Sequence, residues 1–336
     1  MKRILLIFLL LLPMAAPAQK RDSFLRDLND FFQMRSDKNY AKRDSNYILR
    51  YPYIWDARIF NNTSGMRILS EGNGSASLST GANSRIGVSL GYRGVALSYS
   101  LALGRKMNFD LGLTSYGRFG FEFSLRGTSN LKGTIAMYGQ PEREVKADDM
   151  TLLSGNLNLF YSFNKNFSYA AAMKQSEIQV RSAGSLIAAA SWTVWDILGA
   201  GPDIISKNTS LQTLLNTPNT LYNRISAGVG YGYNLVLGQG HWLMHASGIP
   251  MWSFIENSSI RLDGVKTKSK HPVGNIAFMG TARAGVYYRW STRWSIGVSG
   301  ILNQMMSANN FRTESAGYKR FGAQDWQARL SLCCRF

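Results

Sequence analysis

The stretch Trp326-Gln327-Ala328-Arg329-Leu330-Ser331-Leu332-Cys333-Cys334-Arg335-Phe336 decides the fold. Trp326, Ala328, Leu330, Leu332, Cys334 and Phe336 alternate with Gln327, Arg329, Ser331, Cys333 and Arg335. Side chains on a strand point to opposite faces in turn, so one face here meets an apolar medium and the other meets polar groups. A strand that stops on an aromatic is the usual last strand of an outer-membrane β-barrel, and the barrel assembly machinery is the partner expected to read it.

The other end of the chain agrees. Lys2 and Arg3 precede the apolar run Ile4 to Leu12, and Ala16-Pro17-Ala18 forms an A-x-A cleavage site before Gln19. Residues 1–18 are thus expected to be an export signal. The run is too short for a spanning helix, which needs about 20 residues. No Cys follows it as in a lipoprotein, and any later membrane span must be a strand.

Working inward, the alternation recurs. Ile86, Val88, Leu90 and Tyr92 share a face, as do Val95, Leu97, Tyr99 and Leu101. Phe119, Phe121, Phe123 and Leu125 oppose Glu122, Ser124 and Arg126. Ile225 to Leu237 and Phe278 to Trp290 repeat the pattern, the even residues of the latter facing lipid and the odd ones the lumen. Tight turns are expected at Arg93-Gly94, 116–118, 164–166, 238–240 and 291–293, and long loops at 63–82, 128–150, 196–221, 256–276 and 305–323. Short turns face the periplasm and long loops the outside in bacterial barrels, and strand number is even. Counting back from a periplasmic C-terminus gives an all-β, transmembrane antiparallel β-barrel of about twelve strands, the first near Tyr53 to Phe60. Two places resist. The link at Gly104-Arg105 is short where a long loop is due, and residues 168–184 are too many for one strand. A kink, or a segment folded into the lumen, resolves the second.

The domain plan is therefore a signal at 1–18, a periplasmic extension at 19–52 and an outer-membrane barrel at 53–336. In the extension, Phe24, Leu28, Phe31 and Phe32 lie at helical spacing and predict a short amphipathic helix near Ser23 to Met34.

Composition fits a barrel in a Gram-negative outer membrane. Gly (32), Tyr (16) and Phe (17) are frequent, Pro is rare at 8, and charged residues are only 17%, against about 25% in soluble domains. A mean hydropathy of −0.15 is what results when lipid-facing and lumen-facing residues average out. The formal charge of +18 suggests nucleic acid at first sight, but an exported barrel is a poor candidate for that. Lys and Arg belong instead on loops, at the headgroups of outer-membrane lipids and in the lumen, where a basic lining would attract a small anionic ligand. Neighbouring strand residues point apart, so a Cys333–Cys334 disulfide is geometrically poor.

Several stretches resemble a Bacteroidetes outer-membrane family known as domain of unknown function 4421. Asp44-Ser45-Asn46-Tyr47-Ile48 is similar to its opening "YDTNYI" segment, with Arg43 in place of the first Tyr. Phe109-Asp110-Leu111, Tyr116-Gly117-Arg118 and Lys132-Gly133 resemble its central block. The most specific stretch is Phe167 to Glu177, followed by Gln179 and Arg181 to Ser185. The likeness runs from about residue 40 to 190. It implies a single-domain outer-membrane barrel with no assigned activity, and it brings no catalytic residues.

Chemistry-bearing motifs are few. There is no HExxH, paired CxxC or EF-hand loop, so no metal or cofactor is expected. Of the three His, His241 and His245 share a strand face with Ser247, but a nucleophile and base need direct hydrogen-bond reach, and positions two apart on a strand are about 7 Å apart. They read as polar lumen residues. His271 lies among Lys266, Lys268 and Lys270 and reads as solvated surface. Gly228, Gly230 and Gly232 suggest crowding in the lumen or a close plug rather than a nucleotide loop. In an extended segment Gln175, Glu177, Gln179 and Arg181 share a face, and Glu177 and Arg181 are expected to project with Arg283, Arg289 and Arg329 into a narrow basic lumen. That set is either a ligand contact or a charge network bracing the wall. The sequence therefore reads as an outer-membrane protein of structural, binding or transport type with a largely filled lumen. An outer-membrane lipid-modifying enzyme and a periplasmic β-rich protein are the competing readings.

Overall fold

The structure is a computed structural model that describes residues 18–41, 43–72, 74–102, 108–115, 117–137, 142–146, 150–198, 219–262, 265–270, 276–308 and 318–336. The expected export signal, apart from Ala18, and the link at Gly104-Arg105 lie outside these residues. The chain divides into two units, Met1–Arg43 and Asp44–Phe336. In the first, α1 (Ala18–Tyr40) has 23 residues and outruns the expected Ser23 to Met34 at both ends. Apolar spacing marks only the amphipathic middle of that helix, whereas its flanks are polar residues with no Gly or Pro to stop them.

The second unit is mostly strand. In chain order it holds β1 (Ile48–Arg50), β2 (Trp55–Gly72), β3 (Gly74–Ser79), β4 (Asn83–Tyr92), β5 (Val95–Leu101) and β6 (Phe109–Ser115). Next come β7 (Phe119–Thr128), β8 (Lys132–Met137), β9 (Arg143–Val145), β10 (Thr151–Ser162), the helix α2 (Tyr169–Lys174) and β11 (Glu177–Gln179). The rest is β12 (Ala183–Leu198), β13 (Asn219–Leu237), β14 (Trp242–Leu262), β15 (Val265–Lys270), β16 (Ile276–Arg289), β17 (Trp294–Ala308) and β18 (Tyr318–Arg335). Twelve strands (β2, β4–β7, β10, β12–β14 and β16–β18) form one antiparallel ladder. It closes where β18 pairs with β2, from Arg335↔Asp56 up to Tyr318↔Gly72. The expected twelve-stranded barrel is the fold.

Several expected loops are strand instead. β2 runs on through 63–72 and turns back as β3, while β8 and β9 occupy part of 128–150 and β14 and β15 part of 256–276. Asn61, Asn62, Thr63 and Ser64 put no apolar residue on either face, so alternation fades from the sequence there although the ladder continues. The tight turn at Arg93-Gly94 is present, with φ of 47° and 84°, as a two-residue hairpin whose twist suits the strands requires. It lies at the same end as the 238–240 turn, the 290–293 turn and Phe336, and by the short-turn rule this end is periplasmic.

Burial follows the expected parity. Residues 277, 279, 281, 283, 285 and 287 are buried, whereas Phe278, Ala282, Ala284 and Val286 are exposed. Exposed Ile59, Val88, Leu97, Leu186, Val229, Val298 and Leu330 continue that apolar surface around the barrel. Near the turns it ends in an aromatic belt that includes Trp55–Tyr92, Tyr161–Phe163, Trp242–Tyr288 and Trp290–Trp294. Trp192, Trp252, Phe254 and Phe278 form the opposite belt. From Trp242 to Trp252 is roughly 34 Å along the strand, and a tilt of about 45° projects this to about 24 Å, the height of the apolar band of outer-membrane barrels. So wide an apolar surface has no place in water, and the protein sits in the outer membrane.

Buried side chains of the described residues project inward at both ends of the barrel. Toward the outer end Met66, Ile68, Leu78, Leu131, Leu152, Trp195, Tyr222, Met251, Met279 and Met305 form an apolar layer across the lumen. It carries one buried ion pair, Arg224–Glu256 at 3.0 Å. That pair is bound in turn by Tyr222 Oη, 2.6 Å from Glu256, and by the Ser307 hydroxyl. Toward the periplasm the segment after β10 enters the lumen.

Candidate functional site

The segment 163–182 is the irregularity that the strand count exposed, and it is a plug. The expected turn at 164–166 is present, with the Phe167 N–H donating to Asn164 O at 3.2 Å, but it opens into the excursion, whose two ends Asn164 holds: its amide donates to Gly184 O at 2.7 Å, and its N–H to Ser185 Oγ at 3.0 Å. Ser168 caps α2 by accepting the Ala171 N–H at 2.9 Å. Gln175 ends it in the left-handed region. Ala170, Ala171 and Ala172 are almost fully buried, since only small side chains let a helix pass inside the wall.

Polar contacts tie this plug down. The Gln179 carbonyl oxygen accepts the Ser168 N–H at 2.8 Å, while its amide donates to Asn166 O and Arg181 O. Asn234 on β13 donates to Ser168 O at 2.8 Å and to Gln179 Oε1 at 3.2 Å. On β18, Arg335 donates to Gln175 O at 2.7 Å. Outside the barrel ladder, β11 pairs with β1, Ile48↔Gln179 to Arg50↔Glu177, so the stretch leading into β2 clasps the plug.

Between plug and apolar layer lies a polar chamber of about 120 Å³, floored by Met173, Lys174 and Gln175. Five cations line it (Arg58, Arg126, Lys174, Arg283, Arg329) against three carboxylates, Asp110, Glu122 and Asp325. Ser89, Ser98, Ser299, Ser331, Asn156, Asn158, Asn303 and Gln327 supply most of the remaining polar lining. Arg283 meets Glu122 through two bonds, 2.5 and 2.6 Å. Arg126 lies 2.7 Å from Asp325 and 3.8 Å from Asp110. Arg58 reaches Asp56 at 2.8 Å, and Arg329 lies over the Phe60 ring, 4.2 Å from its centre. Lys174 is 7% exposed, and no hydrogen bond or ion pair to it occurs among the described residues. Burial first, then the positive charges of Arg329 and Arg58, lower its ammonium group to about 7.

The residues expected from the sequence divide. Arg283 and Arg329 line the chamber. Glu177, Arg181 and Arg289 do not: a helix and a left-handed Gln175 precede Glu177, whose strand β11 pairs with β1, and Arg289 ends β16 beside the 238–240 turn. The Glu177 carboxylate accepts the Ser168 hydroxyl at 2.5 Å. Arg181 is exposed, over the Tyr47 ring, and Arg289 donates to Gly240 O at 2.8 Å. Lys174, Arg58 and Asp325 were missed. Strand parity marked Glu122 and Arg126 as inward, but nothing in the sequence signalled the helical Lys174.

The His–Ser expectation is corrected. His245 Nε2 lies 3.0 Å from Ser247 Oγ, and His245 Nδ1 lies 2.8 Å from Asn234 Oδ1. The distance of about 7 Å separates Cα atoms; the imidazole spans it by leaning along the strand. The group faces the lumen beneath Phe167 and Tyr169, and Ser247 does not border the chamber. His241 is exposed, its Nδ1 2.7 Å from Arg289 O. Of the glycines, Gly232 faces the plug, where a Cβ would lie 3.2 Å from Phe167. Gly228 and Gly230 are crowded instead by the β14 backbone, with a Cβ 2.0 Å from Pro250 O and Gly248 O. Cys333 and Cys334 are both free.

Comparison with known proteins gives one sequence match. The family model described as Domain of unknown function (DUF4421) matches residues 42–323, well beyond the 40–190 over which the likeness was legible. No curated protein matches the chain. Among solved structures, the toluene transporter TodX of Pseudomonas putida is 10% identical, with 85% of this chain and 90% of that chain covered and a TM-score of 0.31. The translocator domain of the autotransporter NalP from Neisseria meningitidis is 9% identical over 94% and 98%, with a TM-score of 0.28. The outer membrane protein OprG from Pseudomonas aeruginosa is 7% identical over 85% and 99%, at 0.21.

Proposed function

The chain belongs to the DUF4421 family, and from that premise we propose an outer-membrane barrel of binding or transport type whose lumen does not conduct freely. The observation that carries this reading is α2, seated in the lumen and held at its two ends, Ser168 and Gln175, by Asn234 and Arg335 on wall strands four steps apart. Twelve strands enclose far less space than a porin, and a helix with an apolar layer above it takes up most of that space. Export on a cleaved signal at 1–18, insertion by the barrel assembly machinery and a surround of outer-membrane lipids belong to the same proposal.

Single-channel recording of the purified full-length protein tests it. The expected result is no large steady conductance, with openings appearing when Asn234→Ala and Arg335→Ala together release the plug. A large, steady, weakly selective conductance from the unaltered protein overturns the reading.

The Asn234–His245–Ser247 chain of contacts favours a second reading, a lipid-modifying enzyme, since a nucleophile, base and orienting amide are in bonded order. Against it, the group faces the lumen beneath two aromatic rings, and both plug bonds of Asn234 stabilise structure without any substrate. Ser247→Ala should leave phospholipid and lipid A profiles unchanged. A changed profile with the barrel still assembled would establish the enzyme instead.

A further inference from the structure

Lys174 poses a physical problem that the filled-lumen reading does not solve. A buried ammonium group without a partner is costly, yet Lys174 is 7% exposed at the floor of a chamber whose cations outnumber its carboxylates by five to three. The carboxylates are engaged: Glu122 holds Arg283 with both oxygens, and Asp110 and Asp325 share Arg126. Asp56, just outside, holds Arg58. Lys174, at the edge of the plug, therefore faces Arg58 and Arg329 from the wall across open space.

We propose that the chamber is a binding site for a small tetrahedral oxyanion of the phosphoryl class, held between Lys174 on the plug and Arg58 and Arg329 on the wall. Three properties of the lining select this chemistry. Lining cations that outnumber the lining carboxylates suit an anion. Hydroxyl and amide donors from Ser299, Ser331, Asn303 and Gln327 suit a ligand that accepts several hydrogen bonds in different directions, as a halide does not. The volume of about 120 Å³ is ample for a single phosphoryl group, since one water needs only about 10–15 Å³ on the same measure. A bound anion also offsets the burial and the Arg329 and Arg58 charges that hold Lys174 down at about 7. Because its ligands come from both plug and wall, the anion joins the two.

The experiment is calorimetric titration of the full-length protein, folded in an uncharged detergent and phosphate-free buffer, with inorganic phosphate, with glycerol phosphate as a headgroup mimic, and with chloride. Saturable binding of either phosphate compound, with chloride inert, supports the site, and the tighter of the two names the source as free phosphate or lipid headgroup. Lys174→Met removes a buried charge and so should fold well; it should weaken binding about tenfold or more. Arg289→Met, outside the chamber, should not change it. No saturable binding by the unaltered protein, equal binding by chloride, or undiminished binding by the folded Lys174→Met protein each overturns the proposal. Conductance is recorded on the same samples: an open pore that still binds phosphate through Lys174 overturns the filled-lumen reading and upholds this one.

Discussion

Glu122→Gln is the sharpest test of how the barrel is braced. Glu122 lies on β7 and Arg283 on β16, five steps apart around a ring of twelve strands, so their bidentate pair crosses the lumen as a strut. The Arg283 side chain is 2% exposed and that of Glu122 13%. Arg283 also lies over the Phe160 ring, 4.7 Å from its centre. Taking the charge from Glu122 leaves a guanidinium buried without its counterion, a change that costs about 3–5 kcal/mol in comparable sites. The amide oxygen of Gln still accepts one bond and the Phe160 contact survives, which places the expected loss near the lower end, about 3 kcal/mol. Replacing both partners, Glu122→Leu with Arg283→Met, removes the desolvation cost together with the attraction. It should return stability to within about 1 kcal/mol of the unaltered protein.

The assay is a urea titration of protein refolded into lipid vesicles, followed by tryptophan fluorescence and by heat-modifiable migration. A loss below about 1 kcal/mol for Glu122→Gln would refute the strut, because pairs with free access to water are worth no more than that. A double variant as unstable as the two single losses added together would refute it too, since the residues would then act independently.

Further outcomes follow from the same geometry. Ala284→Arg, at mid-height on the lipid face, should cost roughly 2–4 kcal/mol; Thr281→Arg, on the lumen face, should also destabilise, because Thr281 is buried and bonded to Asn303 at 2.9 Å. Gly230→Ala puts a methyl 2.0 Å from Gly248 O and should cost about 1–3 kcal/mol, while Gly155→Ala meets nothing within 4 Å and should be tolerated in the same titration. Burial lowers Lys174 on folding from the ordinary lysine value of 10.5 to about 7, so between those pH values the unfolded chain holds a proton that the folded chain does not. Anion-free protein should therefore gain stability as pH rises from about 7 toward 10.5, by up to about 1.4 kcal/mol per unit, and Lys174→Met should lose that slope. In alkylation of the folded barrel, Cys334 should react and buried Cys333, 3.4 Å from Arg58 Nε, should not.

What could be read from the sequence is set by where a residue's environment differs between its two faces. Within the membrane it differs sharply, and so Phe278 to Trp290 could be assigned face by face and the strand count reached twelve. At Asn61, Asn62, Thr63 and Ser64 neither face carries an apolar residue, so the stretch from 63 on reads as a loop, although the ladder with β18 carries it on to Gly72. The plug announced itself only as surplus length between β10 and β12. Its form was hidden because Ala170, Ala171 and Ala172 show no helical stripe when every side is buried. That one misreading decided the candidate site. Extended, the segment puts Glu177 and Arg181 in the lumen; as a helix followed by a left-handed Gln175, it puts Lys174 there instead. The charge that a strand pattern would have balanced with Glu177 is thus left facing Arg58 and Arg329. A balanced lumen would need nothing further, whereas one with Lys174 at its floor has a reason to hold an anion.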